Sequence, residues 1–211
     1  MNCWRTPVGN ISTSEIDMKI AMLPGHARKK EGATVCAGYY EGFGEHALAS
    51  HYLPGLCVAL EARGYDVVQT EREAAGGTTP SYSAKAANAT GADLALEFHF
   101  NSCEGAEGCE VLYYAEVENP LGREFAQVLS NRLALLLGVR DRGAKPIRSE
   151  ADRGWNAFKK SDMRFFMVEP CFAGSNPGEA RAFGTLIKTG EWQRRVARIV
   201  AETIEEVFGK E

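Results

Sequence analysis

The chain has 211 residues, enough for one domain with a sizeable buried core. It is 45% hydrophobic and 25% charged with a formal net charge of −4, the composition of a folded globular protein rather than a disordered one. Lys and Arg do not cluster as nucleic-acid binding requires, no run of about 18 apolar residues could span a membrane, and the six cysteines include no Cys-x-x-Cys pair.

Met1 to Asp17 lacks the apolar segment of a secretory signal. It reads as a polar extension outside the fold, with synthesis in the cytoplasm and no ordinary export expected. The folded domain is then 18–211. Lys19 to Leu23 is a short apolar run closed by Pro24-Gly25, which predicts a buried strand and a turn. Arg28-Lys29-Lys30 reads as a solvated loop. A helix is expected from Glu45 to Arg63, stopped by Gly64, with Pro54-Gly55 kinking or interrupting it.

Tyr65 to Thr70 is the next strand, and a Gly/Thr/Pro-rich loop from Gly76 leads to a small helix over Ser81–Thr90. Leu94 to Phe100 is a third strand, with Leu94, Leu96, Phe98 and Phe100 alternating against Ala95, Glu97 and His99. Glu110 to Ala115 is a fourth, Asn119 to Leu137 a helix, and Arg164 to Val168 the last strand. A long helix over Glu191–Phe208 carries Val196, Ile199, Val200, Ile204 and Val207 at helical spacing. Strands alternating with helices predict one α/β domain around a largely parallel sheet. Cys103 and Cys109 are close enough in sequence to bridge, although small buried hydrophobes or idle thiols are the simpler reading for the cysteines.

In such sheets, sites form where loops leave the carboxyl ends of the strands. His26 follows the first strand, His99 closes the third and Glu169 closes the last, so three chemically capable side chains share one sheet edge. Glu45 joins them through its helix. Leu48, Ala49, Tyr52, Leu53, Leu56 and Leu60 form one apolar stripe, and Glu45 falls near its centre. A carboxylate facing a core is costly unless paired or bound to metal, though the helix N-terminus offers some compensation. His46 lies beside the stripe and His51 nearly opposite, which makes both surface or boundary residues. Two histidines and a carboxylate with one position open is a catalytic zinc arrangement, and Glu169 is the candidate to move the proton of an activated water. Taken singly, His26 could be a loop residue, His99 a satisfied core histidine and Glu169 a capping or surface acid.

With these residues in place the sequence resembles the zinc-dependent N-acetylmuramoyl-L-alanine amidases of the cell-wall hydrolase and phage endolysin type. The resemblance rests on Gly25-His26, on Glu45 followed by Gly64-Tyr-Asp-Val67, and on Ala87-Asn88, Ala92-Asp93 and His99-Phe-Asn101. Gly108-Cys-Glu-Val111, Tyr113-Tyr114 and Val168-Glu169-Pro-Cys-Phe172 with Asn176 extend it. It implies a three-layer αβα sandwich around a mostly parallel sheet. It also implies Zn2+ on His26, Glu45 and His99, and Glu169 as the catalytic acid. The substrate it implies is peptidoglycan, cut between N-acetylmuramic acid and L-alanine. Asn101 and Asn176 become candidates for holding the substrate or orienting a ligand.

The chain departs from the pattern at Ala27-Arg28-Lys29-Lys30, where glycines are usual, and at Ser83, where Arg is common. It departs again at Pro54-Gly55 within the helix and at Glu97, which replaces a small polar residue and could orient a ligand from behind. A peptidoglycan-binding module without catalysis, and a metallo-exopeptidase or amidohydrolase acting on another small substrate, are the alternatives. The residues leave oligomeric state open.

Overall fold

In the computed structural model, residues 18–209 are described, so the expectation for residues 1–17 lies outside the described residues. In chain order the elements are β1 (Lys19–Pro24), α1 (Glu45–Glu61), β2 (Asp66–Gln69), a 3-10 turn (Arg72–Ala75), α2 (Pro80–Asn88), β3 (Leu94–Phe98), β4 (Cys109–Tyr114), α3 (Pro120–Leu137), β5 (Asp141–Ile147), α4 (Trp155–Lys159), β6 (Arg164–Glu169), α5 (Pro177–Lys188) and α6 (Glu191–Phe208). The strands form one six-stranded sheet in the order β2-β1-β3-β6-β4-β5. Neighbours are parallel except where β4 meets β6, so β4 and β5 run against the other four.

The sheet is covered on both faces, which is why its central strands read as near-continuous apolar runs. Ile20, Met22, Leu94, Leu96, Phe98, Phe166 and Val168 face the larger layer, built from α1, α3, α5 and α6. Ala21, Leu23, Ala95, Phe165 and Met167 face the thinner layer of α2 and α4. The result is the expected αβα sandwich. Trp192 of α6 packs edge-to-face against Tyr52 of α1 and Phe183 of α5, tying three helices together. The apolar stripe predicted for α6 is buried throughout.

One expectation needs correction. α1 runs through Pro54 without interruption. Its proline forfeits one backbone hydrogen bond, and burial of Leu48, Tyr52, Leu53, Leu56 and Leu60 along the same helix holds it in place. No strand or helix is expected from the sequence at β5, α4 or α5. Cys103 and Cys109 carry free thiols, the first exposed and the second buried, in keeping with the simpler reading of the cysteines.

Candidate metal centre and its cleft

The carboxyl ends of β1, β3 and β6 lie side by side, because Pro24 pairs with Phe98 and Phe98 with Val168. His26, His99 and Glu169 are therefore placed on one edge by register alone. His26 turns the chain out of β1 in the left-handed region, φ 60°, which only a small fraction of non-glycine residues adopt. Gly25 is required beside it by close approach: a Cβ there would sit 2.5 Å from His99 Nδ1. Gly32 packs against the other ring, where a Cβ would sit 2.6 Å from the His26 ring and 2.8 Å from Glu45 Oε2.

Glu45 enters from the far layer as the first residue of α1. That helix start is secured by the loop before it: Glu45 N–H donates to the Ala33 carbonyl and Ala47 N–H to Glu31 Oε2. Glu45 as a whole is only 3% exposed. His99 Nδ1 lies 2.6 Å and His26 Nε2 3.3 Å from Glu45 Oε1, and the Phe100 N–H donates to the same oxygen at 3.3 Å. One ligand atom from each of His26, Glu45 and His99 falls within 4.8 Å of the others.

Burial alone would raise the Glu45 carboxyl, but hydrogen bonds from His26 and His99 and their charge bring it down to about 2. Burial opposes charge on His99 too, yet the carboxylates of Glu97 and Glu45 hold it up at about 10. Glu169 behaves differently. Burial pushes it up to about 7, with His99 and Arg153 pulling it down and Glu45 and Glu110 adding to the rise.

Glu169 lines the same cavity as the three converging residues, together with Asn101, Ser102 and Arg153. Its Oε1 lies 3.4 Å from Arg153 Nη2, while Oε2 is buried without a hydrogen-bond partner. Arg153 also donates to Asn101 Oδ1 at 2.8 Å and to Glu110 Oε1 at 2.7 Å. Asn101 in turn donates from Nδ2 to Glu110 Oε1 at 3.0 Å. Asn101 thus lies in the cleft wall. Asn176 does not line the cleft: its carboxamide oxygen accepts from the N–H groups of Gly178 and Glu179 and caps α5.

Arg72, Glu110 and Arg153 went unnoticed in the sequence. Glu110 stood inside the Gly108–Val111 match, but nothing local marks the two arginines. His46, expected near the surface, is 3% exposed: the loop after β2 covers it, and its Nε2 lies 3.2 Å from Glu71 Oε2. His51 is exposed, as expected.

Two imidazole nitrogens and a carboxylate oxygen facing one another make a donor set suited to a divalent cation such as zinc. The buried, unpartnered Glu169 Oε2 and the surrounding excess of carboxylates favour the same class of ligand. The cavity of about 370 Å3 opens on this cluster. A neighbouring hollow of about 570 Å3 shares Asn101, Ser102 and Arg153 with it and continues along Leu112, Lys145 and Ile147 of β4 and β5. A further hollow, about 600 Å3, lies at the opposite end of β4, between Tyr113 and the start of α3. It brings none of these groups together.

A family model described as N-acetylmuramoyl-L-alanine amidase matches residues 20–206. Among solved structures, the N-acetylmuramoyl-L-alanine amidase from Clostridium difficile 630 is 19% identical over 92% of this chain and 98% of its own, with a TM-score of 0.69. Ami1, the N-acetylmuramyl-L-alanine amidase from Mycobacterium smegmatis, is 18% identical over 94% of this chain and 100% of its own, TM-score 0.66. The catalytic domain of the CD27L endolysin targeting Clostridia Difficile is 21% identical over 90% of this chain and 97% of its own, TM-score 0.64. No curated protein sequence matched. At these identities the structural likeness establishes the fold.

Proposed function

The chain belongs to the N-acetylmuramoyl-L-alanine amidase family, and from that premise we propose that it is a zinc hydrolase cutting peptidoglycan between N-acetylmuramic acid and L-alanine. The observation that carries this reading is the convergence of His26, Glu45 and His99 within 4.8 Å, with Glu169 in the same cavity.

His26, Glu45 and His99 would hold the ion. When bound, zinc would polarise the amide carbonyl and make a water a stronger acid. The protein's own contribution is proton movement and orientation. Glu169, with Oε2 uncommitted and its carboxyl near neutrality, takes a proton from the water and delivers it to the departing alanine nitrogen. Arg153, fixed by Asn101 and Glu110, holds Glu169 Oε1 and leaves Oε2 without a partner.

The hollow past Arg153 runs beside Arg142 and Lys145. Glu110 and Asp152 line it too, but Glu110 is paired with Arg142 and Arg153 and Asp152 accepts from the Arg148 and Ser149 N–H groups. Lys145 is then the cation placed to meet a free carboxylate of a stem peptide.

Metal analysis of single variants tests the ligand assignment. His99→Ala should lose zinc, and unchanged zinc content would contradict ligation. Assays on intact sacculi and on soluble muropeptides separate wall lysis, in the manner of an endolysin, from turnover of fragments. Retention on sacculi without new amino termini would favour a binding module. Release of single amino acids would favour an exopeptidase.

A further inference from the structure

Glu97 is fully buried on β3, two residues before His99 and on the side of α2. Three donors from two other elements hold it. Arg72 donates from Nε at 3.1 Å and from Nη2 at 2.8 Å, and the Ser83 hydroxyl donates at 2.6 Å. All three go to the same oxygen, Oε1. Arginine–carboxylate pairs frequently use both oxygens in a parallel fork. Here Oε2 is left without a hydrogen bond, buried, 3.4 Å from His99 Nε2. His99 Nε2 is itself buried without a hydrogen-bond partner, while Nδ1 faces Glu45 Oε1 at 2.6 Å. Two buried atoms of complementary character thus face only each other, across a gap that a shift of a few tenths of an ångström closes to a hydrogen bond.

We propose that Glu97, clamped by Arg72 and Ser83, is the positioning residue of His99: it accepts the Nε2 proton and so fixes the tautomer that offers a bare Nδ1 to the cleft. This rests on the reading of His99 as a metal ligand. The imidazole has Glu97 behind it and the backbone of Gly25 close beside it, and a carboxylate behind a ligating histidine also raises the basicity of the nitrogen in front. Arg72 and Ser83 earn their burial by aiming Oε2, since they occupy the only other oxygen.

Glu97→Gln is the informative change. Its carboxamide oxygen would remain with Arg72 and Ser83, so its NH2 would face His99 Nε2 as a donor. That forces the proton onto Nδ1, the wrong tautomer for a ligand. The expected result, by chelator competition, is a loss of zinc affinity of about 10–100-fold, with a shifted visible spectrum of the Co2+-substituted protein. Parental zinc affinity together with an unchanged Co2+ spectrum would overturn the proposal.

Should this variant fail to fold, long-range 1H–15N spectra of the parent zinc protein decide the matter. A His99 protonated at Nε2 supports the proposal, and one protonated at Nδ1 overturns it. His99→Ala separates the two levels of the argument. Parental zinc affinity in that variant removes the ligand assignment itself, whereas its loss beside an unaffected Glu97→Gln removes only the positioning role.

Discussion

Glu110 and Glu169 are direct partners across the antiparallel junction of β4 and β6, and Arg153 bridges them, 2.7 Å from Glu110 Oε1 and 3.4 Å from Glu169 Oε1. Two buried carboxylates on neighbouring strands would repel, so the guanidinium makes their pairing tolerable. The division between them is unequal. Burial raises Glu110 too, but hydrogen bonds from Arg142 and Asn101 and the charge of Arg153 outweigh it and keep it ionised. Glu169 has fewer donors and stays near neutrality. The environment thus keeps one of two like acids ionised and raises the other to about 7, where a carboxyl can both take and give a proton.

Replacing Glu169 by Gln should therefore leave zinc content unchanged and lower kcat by about 10²–10⁴-fold, the range for loss of a general acid–base group. Steady-state kinetics with metal analysis on the same preparation checks this. Near-parental kcat would remove Glu169 from its role.

The same variant reports on stability. In the metal-free protein, Glu169 is raised from an ordinary 4.5 to about 7. Between those values the folded state binds more protons than the unfolded state, so stability present below the lower value is lost as pH rises through the upper. Glu169→Gln cannot ionise and escapes that loss. Its Tm should exceed the parent's by about 2–6 °C at pH 8 and match it near pH 4. Scanning calorimetry at both pH values reads the difference, and an equal effect at both would contradict it.

Arg153 lowers the Glu169 carboxyl, so Arg153→Met should move the acidic limb of the kcat/KM profile to higher pH. An unmoved limb would show that Arg153 does not act through Glu169.

Lys145 lines the hollow beside the cleft and is absent from the lining of the cavity that holds His26, Glu45 and His99. Lys145→Ala should raise KM for stem-peptide substrates about 3–30-fold with little change in kcat, as expected for binding made equally in ground and transition states. A change confined to kcat would place Lys145 in the chemistry instead.

The parts of the fold legible in the sequence are those whose burial is two-sided or periodic. β1, β3 and β6 read as apolar runs, and the Val196–Val207 stripe of α6 reads as a helix. Because ends of such strands are easy to locate, the shared edge of His26, His99 and Glu169 was legible too. β5 was not: as an edge strand of sequence Asp-Arg-Gly-Ala-Lys-Pro-Ile it pairs on one side only and shows neither alternation nor an apolar run. α5 carried a start signal in Asn176-Pro177, whose cap and first-turn proline were overlooked. The meeting of Arg72 with Glu97, and of Arg153 with Glu169, depends on loops crossing to the sheet edge, and no local pattern records it.

The most direct test of the account is mass spectrometry of what the purified protein releases from peptidoglycan, before and after chelation. Intact stem peptides with a free N-terminal alanine, abolished by chelator and restored by Zn2+, are the result the account requires. No released peptide from the folded, zinc-loaded protein, or release undiminished by full metal removal, would contradict it.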